Sequence, residues 1–542
     1  MSIKLASCTA SAVVLLLLAN TVPSTEGANI LFFIGFGGPS HRIAMMPLAN
    51  GLVDEGHNVT ILTQIKPKEK DSKINYYVPN VLSKYFAEAM SSSDAVNFYD
   101  LRASGMLTFG QILIPQFGMT VCEKLYEDKD YILWVKQTKF DLVFVDGLFN
   151  ECGYGIAHLH NAKLMVFSIS SILPWAIEPL GIPDETSSIP DLMCPLPLKM
   201  NFFHRLITAI MPVFWKLYRE NYYLPKLEKF TKEGLGVEDF PSFVEIEKNI
   251  SLTLLNAHVA QELPRSLPSN VIPVGGIAWV EKRKPLPKKM EDFINKGKNG
   301  FVYISFGSFI DFTEFAPEAQ QKFINGLLRF PNIQFIWKLN EIPENLPDNF
   351  YVDSWLPQQD LLLHPKIRAF ITHSGIGGVT EAIYSSVPLI CFPILSEQGY
   401  NANLVEQKGI GIQMEITDFT ADELENAIQR ILSDNRYAEN VKKVNKRFLD
   451  RPSTPLQTGL WWTNFVLRQE STDYIRPSSV NLSWWVKRQI DVWIFLCVLL
   501  ISINVVTIYV IYKIFKRCLI GSSEAKVSKG GKNKKGNKTK LN

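Results

Sequence analysis

The feature that most constrains this chain is a repeating alternation of short, β-rich apolar runs with longer amphipathic or polar stretches. Runs at 30–34, 59–63, 142–145, 164–168 and 252–255 read as buried strands, and a second series follows at 301–305, 334–337, 369–372 and 389–392. Continuous apolar runs of this length suit strands covered on both faces, and the intervening stretches have room for a crossover helix. The expected class is α/β, with a doubly wound parallel sheet in each half. A chain of 542 residues exceeds what one core holds, which agrees with two domains plus appendages. Pro, Gly and basic residues gather at 264–287, so the boundary is expected near 271–276, between a first domain over 28–270 and a second over 271–455.

The chain ends carry their own signals. Lys4 followed by an apolar run at 12–19 reads as a signal peptide over 1–27, its core too short to cross a bilayer. Residues 492–512 are apolar and long enough to span, after a helical lead expected over 456–491. Trp484, Trp485 and Trp493 sit on the N-terminal side of the span and ten basic residues follow Tyr512, so the tail 513–542 is expected in the cytosol and the body in the lumen. Lys538 and Lys540, third and fifth from the end, resemble a dilysine retrieval signal of the endoplasmic reticulum. The net charge of +3 is a property of this tail, since the rest of the chain carries −6, and a nucleic-acid partner is not expected. Cys122, Cys152, Cys194 and Cys391 are the lumenal cysteines, enough for one bridge and too few for a framework. Asn58, Asn249 and Asn481 stand in glycosylation sequons.

Function is concentrated in residues 355–401. Trp355 beside Pro357 and Gln358 precedes an apolar strand, then His373, a glycine-rich turn (Ser374, Gly375, Ile376, Gly377, Gly378) and a helix carrying Glu381. A second apolar run ends at Glu397 and Gln398. Strand, glycine turn and helix start make an anion site, because the first helical N–H groups have no partner within the helix. An aromatic platform, a carboxylate for ribose and an acid–amide pair for a sugar complete a nucleotide-sugar pocket.

That ordered set resembles the UDP-glycosyltransferase family, in its animal membrane-bound branch. The resemblance implies the GT-B architecture of two Rossmann-like domains facing a cleft. It assigns Trp355 to stacking on uracil, Gln358 to the uridine and Glu381 to the ribose hydroxyls. Ser308, His373, Gly375, Gly377 and Gly378 would hold the diphosphate, and Glu397 with Gln398 the transferred sugar. Gly377 stands where many members carry Asn, and Glu397 where Asp is commoner.

The resemblance also makes His41 the catalytic base, and the residues agree. His41 follows the loop after the first strand and Asp146 ends a strand, so both sit at carboxyl ends, where open α/β sheets present ligands. A histidine suits proton removal near neutral pH, and a carboxylate on its other nitrogen fixes the tautomer. Asp141 starts its strand and is expected to be structural. No metal or cofactor is expected beyond the UDP-sugar as co-substrate. His158 and His160 lack the spacing of a zinc pair. The loop at 35–39 lacks the third glycine of a dinucleotide fingerprint.

The expected activity is inverting, metal-independent transfer of a hexose from a UDP-sugar to a hydroxyl of small lipophilic acceptors. Glucose is favoured because Leu255 stands where glucuronosyl members place Arg. The alternatives are a glucuronosyltransferase, a lipophile-binding protein on the same fold, and an enzyme acting on lipid or protein. Self-association into homo-oligomers is left open. Aromatic-rich residues 202–223 suit an acceptor pocket, a membrane surface or ordinary packing equally well.

Overall fold

The structure, a computed structural model, describes residues 27–66, 73–91, 97–105, 113–279, 283–308, 310, 312–343 and 346–530. All but the last residue of the expected signal peptide, and the end of the tail with Lys538 and Lys540, lie outside the described residues. The chain divides into two compact units, residues 1–480 and 481–542.

The first unit holds two parallel sheets. One comprises β1 (Asn29–Ile34), β2 (Asn58–Thr63), β3 (Asn75–Tyr77), β4 (Leu142–Asp146), β5 (Lys163–Ser168), β6 (Leu252–Leu255) and β7 (Val271–Pro273), in the order β3-β2-β1-β4-β5-β6-β7. The other comprises β8 (Phe301–Ser305), β9 (Gln334–Lys338), β10 (Phe350–Asp353), β11 (Ile367–Thr372), β12 (Leu389–Cys391) and β13 (Gly411–Gln413), in the order β10-β9-β8-β11-β12-β13. The inner strands β1, β4 and β8 are buried along nearly their whole length, with helices covering both faces. Each order reverses once, between β1 and β4 and between β8 and β11. Those are the switch points at which open sheets form a ligand crevice beyond the strand ends.

Strand β7 pairs with β6, Val271 opposite Thr253, so the first sheet extends to Pro273, within the boundary region 271–276. The segment 456–491 is made of several short helical pieces ahead of helix Ile490–Gly530. Its first part, helix Pro455–Arg468, packs back onto helix Pro39–Asp54 of the first half. A Cβ on Gly51 would lie 3.0 Å from Leu460 and one on Gly459 3.2 Å from Leu48, so small residues let the two helices approach. The Lys163 ammonium then holds the carbonyls of Val466 and Leu467 at 2.7 and 3.0 Å.

The second unit contains helix Ile490–Gly530, of which Ile490–Ile520 is long and apolar enough to cross a membrane. The helix outlasts the expected end of the span at 512, because Lys and Arg propagate a helix well once it has started.

Candidate functional site

The loop after β1 is built to hold one histidine. Asn150 grips Phe36 as a strand partner would, accepting from its N–H at 2.7 Å and donating to its carbonyl at 2.8 Å. The Gln64 amide donates to the carbonyl of Gly37. Gly37 has φ +138°, and a Cβ there would lie 2.7 Å from the His41 ring, so only glycine lets the imidazole fold back against the loop. His41 sits in the first turn of helix Pro39–Asp54 and is 7% exposed. Its Nδ1 lies 2.5 Å from Oδ2 of the fully buried Asp146. The other oxygen of Asp146 accepts from the N–H of Leu148 at 3.0 Å, so the carboxylate is oriented from both sides. With Nδ1–H donating to Asp146, Nε2 is left as the proton acceptor.

Across the cleft, the loop after β8 meets the loop after β11. Gly307 has φ +88°, and its Cβ would lie 2.8 Å from the His373 ring. Gly375 packs on the same ring, where a Cβ would approach Nε2 to 2.6 Å. Burial first, and then the Lys338 ammonium, push the His373 imidazole down to about 4, against the pull of a hydrogen bond with the Ser305 backbone. His373 is therefore neutral at pH 7, a hydrogen-bond partner rather than a cation. Ser374 adopts φ +68° and its carbonyl accepts from Asn401 at 2.9 Å, which turns the chain into helix Ile376–Ser385. The N–H groups of Ile376, Gly377 and Gly378 form the first turn of that helix, and a Cβ at Gly377 would meet open space. Ser308 is exposed on its turn, 4.0 Å from where a Cβ of Gly38 would stand. The loop that holds His41 and the one that holds Ser308 thus face one another.

The remaining donor-side residues follow. Glu381 accepts from Gln358 at 2.5 Å and from Gln359 at 2.7 Å, and burial raises its carboxyl against the pull of both amides. Gln358 also accepts from the Tyr303 hydroxyl at 3.2 Å, so its amide is held on one side by Tyr303 and on the other by the Glu381 carboxylate. Trp355 is 59% exposed, an open aromatic platform. Gln398 is buried and its Oε1 takes the N–H groups of Ile394 and Leu395 at 2.9 and 3.0 Å, so two backbone donors fix its amide. Glu397 stands at the N-cap position of helix Gln398–Gln407, its side chain making no capping hydrogen bond.

Three polar residues of the site escape sequence reasoning. Lys338 ends β9, donates to the Gly307 carbonyl at 2.6 Å and lies 5.0 Å from the Trp355 ring centroid. Gln359 holds the Glu381 carboxylate and Gln64 the Gly37 carbonyl. A lysine at the carboxyl end of a strand, beside the turn at Gly307, was a readable signal; the two glutamines offered none. Asp141, as expected, is structural, accepting from the Asn29 N–H at 2.8 Å. The segment 202–223 splits: Trp215 and Tyr223 are core residues, while Phe202, Phe203 and Ile210 are exposed.

A family model described as UDP-glucoronosyl and UDP-glucosyl transferase matches residues 36–526. The chain is 28% identical to UDP-glucosyltransferase 2 of Dactylopius coccus over 90% of this chain and 93% of that protein. It is 29% identical to UDP-glucuronosyltransferase 1A3 of Rattus norvegicus over 97% of both. Among solved structures it resembles the glycosyltransferase VinC in complex with DTDP (TM-score 0.55, 17% identity, 81% of this chain and 100% of that one). It also resembles TcCGT1 in complex with UDP (TM-score 0.54, 18% identity, 81% and 99%). These likenesses give the fold as GT-B. With its two facing switch-point loops and a match spanning nine-tenths of its length, the chain belongs to the UDP-glucoronosyl and UDP-glucosyl transferase family and is a UDP-glycosyltransferase.

Proposed function

We propose that this enzyme transfers a hexose, with glucose the favoured one, from a UDP-sugar to a hydroxyl of small lipophilic acceptors, inverting the anomeric carbon without a metal. The observation that carries the reading is the contact between His41 and Asp146 on the loop that faces Ser308. The acceptor hydroxyl gives its proton to Nε2 of His41, and Asp146 stabilises the imidazolium. Its oxygen bonds to the anomeric carbon as the bond to the diphosphate breaks, and the electron pair leaves with UDP. Ser308, neutral His373, the Lys338 ammonium and the N–H groups at the start of helix Ile376–Ser385 are the donors for that developing charge. Trp355 stacks on uracil and the oriented Glu381 takes the ribose hydroxyls.

Glucose is favoured because Leu255 is a buried core residue and supplies no cation for a sugar carboxylate. UDP-glucuronate is the alternative donor. The body is assigned to the lumen of the endoplasmic reticulum on the apolar helix and its basic flank, with exposed Asn58, Asn249 and Asn481 as glycosylation sites. The test is UDP release by detergent-solubilised protein in EDTA, with UDP-glucose, UDP-glucuronate, UDP-galactose and UDP-N-acetylglucosamine each offered against phenols and lipophilic alcohols. Turnover with UDP-glucose, abolished in His41→Ala, supports the reading. Turnover only with another sugar corrects the donor, and loss of turnover in EDTA that returns with a divalent cation overturns metal independence.

A further inference from the structure

Residues 97–105 belong by sequence to the first half, between β3 and β4, yet their side chains are planted in the second. Tyr99, on the short helix Phe98–Ala103, is buried in the core beneath β8, β9 and β11, its ring 5.4 Å from that of Phe315. Asn97 caps the helix by accepting from the Asp100 N–H at 3.2 Å, and it donates to the Glu314 carbonyl at 3.0 Å. Arg102 forms a fork with Glu415, with Nε and a terminal nitrogen each 2.6 Å from one carboxylate oxygen. Its remaining nitrogen donates to the Ile394 carbonyl at 3.3 Å.

Ile394 is where this attachment meets the donor site. Its N–H is held by Gln398 and its carbonyl by Arg102, so two side chains fix opposite sides of one residue in the loop leading to Glu397. The first half also reaches that loop from elsewhere. Ser396, at φ +54°, contacts the sulfur of Met193, and Asn403 donates to the Leu196 carbonyl at 2.9 Å. Glu415 stays ionised: burial raises its carboxyl, but the hydrogen bond and charge of Arg102 outweigh it and leave it below its ordinary value. A planar fork on a carboxylate is the geometry lysine cannot reproduce.

We propose that Arg102 is a positioning residue for the donor sugar: through Glu415 and the Ile394 carbonyl it sets the loop carrying Glu397 and Gln398, so that the acceptor half determines how the sugar of the UDP-sugar is held. The inference rests on the donor-site reading above and adds a residue outside the donor domain to it. UDP itself lacks the sugar, so its affinity separates positioning of the sugar loop from a general loss of structure.

The test uses full-length protein in detergent. Calorimetric affinities for UDP and for UDP-glucose, and the KM for UDP-glucose, are measured in wild type, Arg102→Ala, Arg102→Lys and Glu415→Gln. The expected result is UDP affinity within about twofold of wild type in all variants. Arg102→Ala should weaken UDP-glucose at least tenfold, and Arg102→Lys should recover only part of it. Equal weakening of UDP and UDP-glucose, an unchanged UDP-glucose affinity, or full rescue by lysine would each overturn the proposal. Wild-type protein that binds neither ligand would overturn the donor-site reading first, and this one with it.

Discussion

Asp146 Oδ2 stands 2.5 Å from Nδ1 of His41, with Asp146 ending β4 and His41 in the first turn of the helix that follows β1, at the point where the strand order reverses. Neither side chain is free to turn away: Leu148 holds the carboxylate, and Gly37 lies against the imidazole. His41→Ala should lower kcat by about 10²–10⁴-fold, the usual share of general-base catalysis, while UDP affinity stays unchanged. Asp146→Asn should lose a comparable factor in kcat by favouring the wrong tautomer. Single-turnover rates beside UDP titrations check both, and a parallel loss of UDP binding would count against the assignment.

Trp355 presents its ring to solvent with Lys338 5.0 Å from the centroid. Trp355→Ala should cost about 1–3 kcal/mol of UDP affinity through lost stacking on the base. Uridine should suffer alike, because it has the same base. Lys338→Gln should instead weaken UDP and spare uridine. Calorimetry with the two ligands decides.

Gly307 and Gly377 belong to the two turns beside His373 and should respond in opposite ways. Gly307→Ala places a Cβ 2.8 Å from the His373 ring at φ +88° and should cost on the order of 1–3 kcal/mol of stability. Gly377→Asn enters open space on a helical turn and should leave stability unchanged within about 0.5 kcal/mol. It should also tighten UDP binding by supplying a side-chain amide. Thermal denaturation with and without UDP reads both effects.

Cys122 and Cys152 form a disulfide across 30 residues, bracing the helix after Asp146 against helix Ile114–Glu127. Replacing both with Ser should cost about 2–4 kcal/mol, from the freed loop of the unfolded chain. Chemical denaturation under non-reducing conditions measures the loss. Cys194 and Cys391 are free and buried, so serine at either should leave the non-reducing electrophoretic pattern unaltered.

His373 is pushed down to about 4 from an ordinary 6.5, so between those values the unfolded chain binds a proton that the folded one refuses. Its stabilising contribution is complete above pH 6.5 and is lost as pH falls towards 4. His373→Gln should therefore flatten the fall in stability across that window by up to about one proton's slope relative to wild type. Denaturant midpoints at half-unit pH steps test this, and identical slopes would contradict it.

Nine strands are legible in the sequence, and they are the nine interior strands of the two sheets. The four that are not, β3, β7, β10 and β13, are the four edges. An interior strand is covered on both faces and must be apolar along its length, as in β1, NILFFI. An edge strand needs only three or four residues and tolerates polar or proline-containing sequence, as in NYY and VIP. Local composition therefore marks the interior and misses the rim.

The same division applies to the site. His41, Asp146, Ser308, Trp355, His373, Glu381 and Gln398 each carry a particular chemistry at or near a strand end, turn or helix start, so the sequence could single them out as candidates one by one. Residues that act through another side chain carry no such mark. Arg102 lies 313 positions from Glu415, Gln359 is one more amide beside Gln358, and Cys122 finds Cys152 only because a helix and a loop meet. By itself the sequence determined the two parallel sheets, the apolar span and the order of the donor residues, because burial and backbone geometry act locally. Which half holds which loop, and which cysteines pair, was decided by tertiary structure, because those contacts join segments whose separation along the chain says nothing about their distance in space.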